Sequence, residues 1–231
     1  MSARVLGLIG GTTWHSTVDY YRLINTGFNE RMGGSHSAPC VIHSFDFEEI
    51  LAINARKDWL ALEEKIVAVA ISLRIGGAMG IVLCANTMHM IADQLEARVK
   101  LPVIHIVDAT ARAILVAGLT RVALLGTSYT MEMSFFTDRL ARHGVSAIIP
   151  GPDDREFIHS TIFHELAKGV IKDATRVRYL EIIDSLVEQG AQGAILGCTE
   201  IPLLIKQADC AVPVFDTTAL HAAAAVEFAV G

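Results

Sequence analysis

Two stretches of the sequence can be laid over each other without gaps, and this partial repeat constrains the fold more than any other feature. Residues 77–87 read Gly-Ala-Met-Gly-Ile-Val-Leu-Cys-Ala-Asn-Thr, and residues 190–200 read Gly-Ala-Gln-Gly-Ala-Ile-Leu-Gly-Cys-Thr-Glu. In each stretch a short apolar run ends in small and polar residues, as the buried strands of a parallel sheet do. Because ligands bind at the carboxyl ends of such strands, both stretches mark candidate sites.

The register of the repeat places Cys198 on Ala85 and not on Cys84. Successive side chains of a strand point to opposite faces, so if Ala85 points into a site, Cys84 points away from it. Cys198 would stand at the start of a short helix, residues 201–206, where unpaired N–H groups and the helix dipole favour a thiolate. A buried structural cysteine is the alternative interpretation, and position alone does not separate the two.

Short apolar runs alternate with helical segments along the chain, which predicts an α/β protein with mainly parallel sheets. Gly10-Gly11-Thr12, after the first strand, is matched by Gly126-Thr127 after a later one, so the halves correspond a second time. We therefore predict two pseudosymmetric lobes, each a sheet flanked by helices, with the active site in the cleft between them. The predicted lobes are residues 1–102 with 212–231, and residues 103–211; the last strand and helix return to the first lobe.

Composition excludes several classes of function. The chain has 231 residues, 52% of them hydrophobic and 19% charged, which is the balance of a globular protein. The net charge of -6 and the lack of a basic cluster argue against a nucleic-acid partner. No apolar stretch reaches the roughly 18 residues of a membrane span, and no signal peptide pattern is seen. We therefore expect no membrane partner and a cytoplasmic location.

The four cysteines, Cys40, Cys84, Cys198 and Cys210, lack the spacing of metal ligands. No metal site is therefore expected. In a reducing compartment the cysteines are expected to be free thiols.

Four motifs, in order along nearly the whole chain, resemble those of the aspartate/glutamate racemase family. They are Gly7-Leu8-Ile9-Gly10-Gly11-Thr12-Thr13-Trp14, Cys84-Ala85-Asn86-Thr87-Met88-His89, Leu124-Leu125-Gly126-Thr127-Ser128-Tyr129-Thr130-Met131 and Gly197-Cys198-Thr199-Glu200-Ile201. Within the family, the resemblance is nearest to the bacterial branch that acts on L-aspartate and L-glutamate.

The resemblance implies racemisation without pyridoxal phosphate, a metal or any other cofactor. It also implies an amino acid or dicarboxylate as the small-molecule partner, and a homodimer. Two residues of such enzymes remove the Cα proton and return it on the opposite face. Most members use two cysteines, and the nearest branch has a threonine at the first position. The matching catalytic positions here are Ala85 and Cys198, so the chain departs from both patterns at Ala85.

Proton removal from a weak carbon acid requires groups that stabilise the negative charge developing on the substrate carboxylate. Residues suited to this gather at four predicted strand ends: the backbone N–H groups of Gly11 and Thr12, and the side chains of Asn86, Thr87, Thr127 and Thr199. We predict that these residues bind substrate together with Glu200, which would orient the substrate or the thiol. Each Thr or Asn taken alone is also an ordinary helix cap or turn residue. For the distal carboxylate some relatives use an Arg and a Lys, whereas residues 45–49 hold no cation here and Lys168 lies near the Lys position.

Three hypotheses follow from the asymmetry of the repeat. The first is an aspartate/glutamate racemase in which Ala85 is an inactivating substitution at the first catalytic position. The second is a one-thiol decarboxylase or isomerase of the same superfamily, in which only one face of the substrate needs a proton. The third is a non-catalytic homologue that binds an amino acid. We rank them in that order.

Overall fold

The computed structural model describes residues 3–231. In this range the chain divides into two compact units. The first unit runs to His105 and takes in His221–Gly231, and the second is Ile106–Leu220. Each unit contains a four-stranded parallel sheet flanked by helices within the described residues, which confirms the predicted α/β class with parallel sheets.

The first unit is built on a sheet with the strand order β2-β1-β3-β4. Its strands are β1 (Leu6–Gly10), β2 (Cys40–Ser44), β3 (Gly80–Leu83) and β4 (Val103–Ile104). Its helices are α1 (Trp14–Met32), α2 (Phe47–Ala55), α3 (Trp59–Ile75), a 3₁₀ helix (Thr87–Ile91), α4 (Ala92–Val99) and most of α11 (Thr217–Val230). β1 and β3 are buried along their whole length, as expected of central strands covered on both faces.

The second unit repeats this arrangement with the order β6-β5-β7-β8. Its strands are β5 (Arg121–Gly126), β6 (Ser146–Ile148), β7 (Ala194–Gly197) and β8 (Val214–Asp216). Its helices are α5 (Ile106–Val116), α6 (Ser128–Glu132), α7 (Ser134–Arg142), α8 (Pro152–His164), α9 (Asp173–Glu188) and α10 (Ile201–Leu204), with 3₁₀ helices at Leu166–Lys168 and Gln207–Asp209. No helix in residues 3–231 is long and apolar enough to cross a membrane.

The strand registers of the two sheets are equivalent. Ile9 of β1 lies beside Leu83 of β3, and Leu125 of β5 lies beside Leu196 of β7. Counting onward from Leu83 and Leu196, Ala85 and Cys198 occupy the same place in their units. The sequence repeat therefore reflects a structural one.

The last strand departs from the prediction. β8 pairs in parallel with β7, Ala194 beside Val214 and Leu196 beside Asp216, so it belongs to the second sheet and not to the first. The hydroxyl of Thr217 also donates to the carbonyl of Leu196, at 2.9 Å, which fixes the strand end. β8 follows β7 through a short helical connection, and consecutive strands of that kind usually lie side by side. Only the part of α11 from His221 onward joins the first unit.

Side-chain caps fix the starts of two helices in the first unit. α1 begins at Trp14, because Thr13 in an extended conformation accepts a hydrogen bond from Ser16 N. The segment after β2 is the helix α2. Asp46 caps it by accepting from Glu48 N at 3.2 Å.

Candidate active site

Cys198 lies at the carboxyl end of β7, between Gly197 and the first turn of α10. Gly197 is required there, since an added Cβ would stand 2.8 Å from the carbonyl oxygen of Leu125. The Cys198 side chain is 9% exposed and packs in an apolar cluster with Met131, Tyr179 and Ile201. The thiol is therefore held by the core, with a small exposed part.

Glu200 is the polar partner of this thiol. Its Oε2 atom lies 2.9 Å from Sγ of Cys198 and 2.6 Å from Oγ1 of Thr199. Both the thiol and the hydroxyl donate to this one oxygen, because a carboxylate can only accept. Glu200 is itself buried, at 6% exposure. The two sequence-predicted residues that follow Cys198 are thus brought together around a thiol proton.

The resting state of Cys198 is the thiol. Burial raises the pKa of Cys198 well above its usual value, and the negative charge of Glu200 raises it further. The helix start was expected to favour a thiolate, whereas burial and the charge of Glu200 favour the thiol. α10 is a helix of only four residues, so its dipole is small beside the loss of solvation and a carboxylate in contact.

A buried pair of hydroxyl groups lies on the apolar side of Cys198. The hydroxyl oxygens of Thr161 and Tyr179 are 3.0 Å apart, and Tyr179 also donates to the carbonyl of Ile158 at 3.3 Å. Burial raises the pKa of Tyr179, and a Cys198 thiolate would raise it further, since the two side chains share one cluster. These hydroxyls satisfy each other and support the wall behind the thiol.

The carboxyl end of β5 contributes Thr127 and Ser128. Thr127 caps α6: its hydroxyl oxygen accepts from Thr130 N at 3.4 Å and lies 3.3 Å from Thr130 Oγ1. Ser128 N–H donates to Nδ1 of His159 at 3.2 Å, and Ser128 Oγ lies 3.2 Å from the same nitrogen. Nδ1 is therefore an acceptor, and a neutral His159 carries its proton on Nε2. Burial lowers the pKa of His159 and favours that neutral form.

In the first unit, the turn after β1 uses one of its predicted donors internally. The amide of Gly11 donates to Oγ1 of Thr17 at 2.9 Å, so this N–H is already satisfied within the fold. Gly11 has φ +86°, and an added Cβ would stand 2.2 Å from the backbone nitrogen of Phe45, so only glycine fits. The hydroxyl oxygen of Thr12 is buried, and no hydrogen-bond partner for it is found among residues 3–231.

The end of β3 separates Cys84 from Ala85 as the strand period requires. Cys84 is fully buried in the cluster on one face of the sheet, where its Sγ lies 3.8 Å from the carbonyl of Val82. Burial raises the pKa of this thiol. Ala85 packs against the cluster on the opposite face. Cys84 is thus a core residue, and the methyl of Ala85 occupies the place that Cys198 occupies in the second unit.

Three predicted or considered polar residues follow Ala85. Asn86 immediately precedes the 3₁₀ helix, and Thr87 and His89 lie in it. Asn86 is 4% exposed and His89 3% exposed, whereas Thr87 is half-buried. The carbonyl of Asn86 accepts from His89 N at 3.1 Å, and Nδ1 of His89 lies 3.0 Å from the carbonyl oxygen of Ala85. The predicted polar groups at this strand end are therefore gathered on one tight turn.

The residues considered for the distal carboxylate, 45–49 and Lys168, belong to different units. Phe45 is buried in the core and Asp46 caps α2. Lys65, whose Nζ is 2.7 Å from Glu49, is engaged at the surface. Lys168 is exposed in the 3₁₀ helix that contacts α10. His15 is exposed and stacks on Trp14, with ring centroids 3.7 Å apart.

Sequence reasoning did not single out the contacts Ser128–His159, Thr161–Tyr179 and Tyr20–His221. Their partners come from different elements, and no local spacing signals them. All four cysteines are free, as expected. Across residues 3–231 no group of three or more His, Cys, Asp or Glu side chains is arranged to hold a metal ion.

A family model described as Asp/Glu/Hydantoin racemase matches residues 9–225. The chain belongs to this family. Two solved structures are similar over almost the full length of both chains. One is a candidate Asp/Glu racemase from Yersinia pestis, 47% identical with a TM-score of 0.94, and it covers 99% of this chain and 100% of its own. The other is an aspartate racemase homologue from Pyrococcus horikoshii OT3, 33% identical with a TM-score of 0.85, at the same coverage.

A more distant structure, unliganded arylmalonate decarboxylase, is 14% identical with a TM-score of 0.55, and it covers 99% of this chain and 94% of its own. At that identity the likeness shows a shared fold alone. The fold of this racemase-family chain is therefore also found in a protein described as a decarboxylase.

Proposed function

We propose that the chain catalyses proton transfer at Cα of aspartate or glutamate, with Cys198 as the acid–base residue and without a cofactor. The observation that carries this proposal is the 2.9 Å contact between the Cys198 thiol and the buried Glu200 carboxylate at a strand end. Membership of the racemase family and the similarity to the two solved structures support the choice of substrate class.

The thiol proton of Cys198 passes to Glu200, and the thiolate takes the Cα proton of the substrate. The electron pair left on Cα spreads into the substrate α-carboxylate, where hydroxyl and amide donors stabilise it. Reversal of the step returns a proton, or a deuteron from solvent, to the same face.

Racemisation also needs a proton donor for the other face of Cα. The family resemblance assigns that role to residue 85, and a methyl group cannot donate a proton. We therefore propose that this sequence exchanges the Cα proton with retention at a rate far above its racemisation rate. The natural capacity of the site is racemisation when Thr or Cys stands at position 85.

Solvent deuterium incorporation tests the proposal. L- and D-aspartate and L- and D-glutamate are incubated in D₂O, and Cα deuteration and enantiomeric composition are measured together. We expect one enantiomer of one substrate to exchange with its configuration retained. Binding of both amino acids by calorimetry without any exchange would instead favour a non-catalytic homologue.

A one-thiol decarboxylase is the second candidate, and two observations favour it. Cys198 rests as a protonated thiol, and position 85 offers no base. A thiol in that state can protonate a carbanion that arises by loss of CO₂, for which no Cα proton need be removed. A screen of substituted malonates distinguishes the candidates, because turnover there without Cα exchange of amino acids supports decarboxylation.

The homodimer remains a prediction from the family resemblance. Light scattering on the purified protein measures its mass directly, and a monomeric mass would contradict it.

A further inference from the structure

His89 makes a directed contact with the residue at the critical position of the first unit. Its ring nitrogen Nδ1 lies 3.0 Å from the carbonyl oxygen of Ala85. A carbonyl oxygen only accepts, so Nδ1 carries the hydrogen and Nε2 of the neutral ring carries the lone pair. The side chain is 3% exposed, so this hydrogen bond is shielded from water.

Two further imidazoles pack around His89. Its ring centroid is 4.7 Å from that of His105 and 5.1 Å from that of His221, both in edge-on geometry. His221 is fully buried, with Nε2 2.6 Å from the carbonyl of Ile104 and Nδ1 2.8 Å from the hydroxyl of Tyr20. By the same reasoning Nε2 of His221 donates, and its Nδ1 accepts from Tyr20.

The ring of His89 packs against a group of side chains that is itself held by hydrogen bonds. Tyr20 on α1 and His221 on α11 are fixed to each other, and His221 is tied to the end of β4. Burial lowers the pKa of His221 to about 3, and a positive charge on His89 would lower it further, so the His221 ring is neutral at ordinary pH. A ring held in this way fixes the peptide group between Ala85 and Asn86 in turn.

We propose that His89 is the positioning residue for the side chain at position 85, acting through its Nδ1–H hydrogen bond to the carbonyl of that residue. The peptide plane sets the direction of the Cα–Cβ bond at 85, and hence where a catalytic Thr or Cys at that position would carry its hydroxyl or thiol. Small errors in such placement reduce a rate strongly. This inference rests on the proposed function, which assigns residue 85 to proton transfer.

The tautomer can be measured without any activity. In protein labelled with ¹⁵N-histidine at mildly alkaline pH, long-range ¹H–¹⁵N spectra distinguish Nδ1–H from Nε2–H rings, and His89 variants assign the signal. We expect His89 as the Nδ1–H form. A signal of the Nε2–H form would overturn the proposal.

Two substitutions separate positioning from general packing. His89→Asn keeps an N–H donor near the place of Nδ1, whereas His89→Gln carries its donor further along the side chain. In the Ala85→Cys protein we expect His89→Asn to keep kcat for racemisation within about threefold, and His89→Gln to lower it by about tenfold or more with KM within about twofold. The exposed His36→Gln is the matched control.

The outcomes also separate this inference from the proposed function. Equal effects of the Asn and Gln variants on kcat would overturn the positioning role. If Ala85→Cys gives no racemisation, the proposed function fails at position 85. The amide chemical shift of Asn86 then tests on its own whether His89 holds the peptide group between Ala85 and Asn86. That shift should stay near the parent value in the Asn variant and move in the Gln variant; the same shift in both would overturn the inference.

Discussion

The ends of β3 and β7 occupy equivalent places in two similar sheets, yet they are chemically unlike. At the end of β7 a thiol, a hydroxyl and a carboxylate meet within hydrogen-bond distance, at Cys198, Thr199 and Glu200. At the end of β3 a methyl group stands in the thiol's place, and the imidazoles of His89 and His105 pack together nearby. The difference teaches that the fold builds two equivalent strand-end positions, and that under the proposed function the side chain at each one decides whether it can transfer a proton.

The largest expected effect tests whether Cys198, and not Cys84, is the reactive cysteine. Cys198→Ala should lower Cα deuterium exchange by about a thousandfold, the range typical of a lost acid–base group, while the fold stays intact. Exchange measured by NMR and unfolding measured in urea check both parts.

Cys84→Ala is the matched variant for that test. It removes a buried thiol from the core and should lower the free energy of unfolding by about 1–2 kcal/mol without changing exchange. Exchange that follows Cys84 and not Cys198 would reverse the assignment of the two cysteines.

Placing a proton donor at position 85 tests the strand end of the first unit. Ala85→Cys, and to a smaller extent Ala85→Thr, should raise racemisation by about a hundredfold or more, because a second proton donor becomes available. Chiral chromatography of the amino acid follows the reaction. Ala85→Val is the size control, because Val has the shape of Thr without a proton donor, and unchanged racemisation in both the Cys and Thr variants would contradict the role of position 85.

Much of this contrast could be predicted from the sequence. The repeat of residues 77–87 in 190–200 correctly aligned Ala85 with Cys198, because the period of a strand is fixed and the apolar runs share it. The location of β8 was predicted wrongly, although its short connection to β7 favours the second sheet, because the residues of a short edge strand do not themselves indicate its neighbour.

The protonation state of the Cys198 thiol also could not be predicted from the sequence. A helix start after Cys198 is visible in the residue order, but the burial of its sulfur and the direction of the Glu200 side chain are not. The contact between Tyr20 and His221 joins residues 201 positions apart. Interactions over that separation depend on the assembled fold, and no spacing rule reports them.

Glu200→Gln tests what the carboxylate does for the thiol. An amide cannot take the proton from Cys198, so we expect exchange at neutral pH to fall by about tenfold to a hundredfold and to rise again with pH. Because Glu200 helps to raise the pKa of Cys198, the thiolate should form at lower pH in the variant, as followed by ultraviolet absorbance. Thr199→Val removes only the second donor to the same oxygen, and a larger effect from it than from Glu200→Gln would contradict the assignment.

The smallest expected effect concerns the free energy of unfolding, which should depend on pH through His221 near the end of β4. Burial lowers the folded-state pKa of His221 to about 3, below the value of about 6.5 expected when the chain is unfolded. Between those values the unfolded state binds the proton first. The contribution of His221 is therefore fully present above about pH 6.5 and is lost as the pH falls, by about 1.4 kcal/mol per pH unit.

His221→Asn should flatten this acid dependence. Asn does not titrate, and its carbonyl oxygen can accept from Tyr20 near the place of Nδ1, although it is too short to reach the carbonyl of Ile104. The variant should be less stable than the parent at neutral pH and should lose less stability on acidification, as measured by urea unfolding at several pH values. An identical acid slope in the His221→Asn protein would show that the His221 ring does not stay neutral in the folded state.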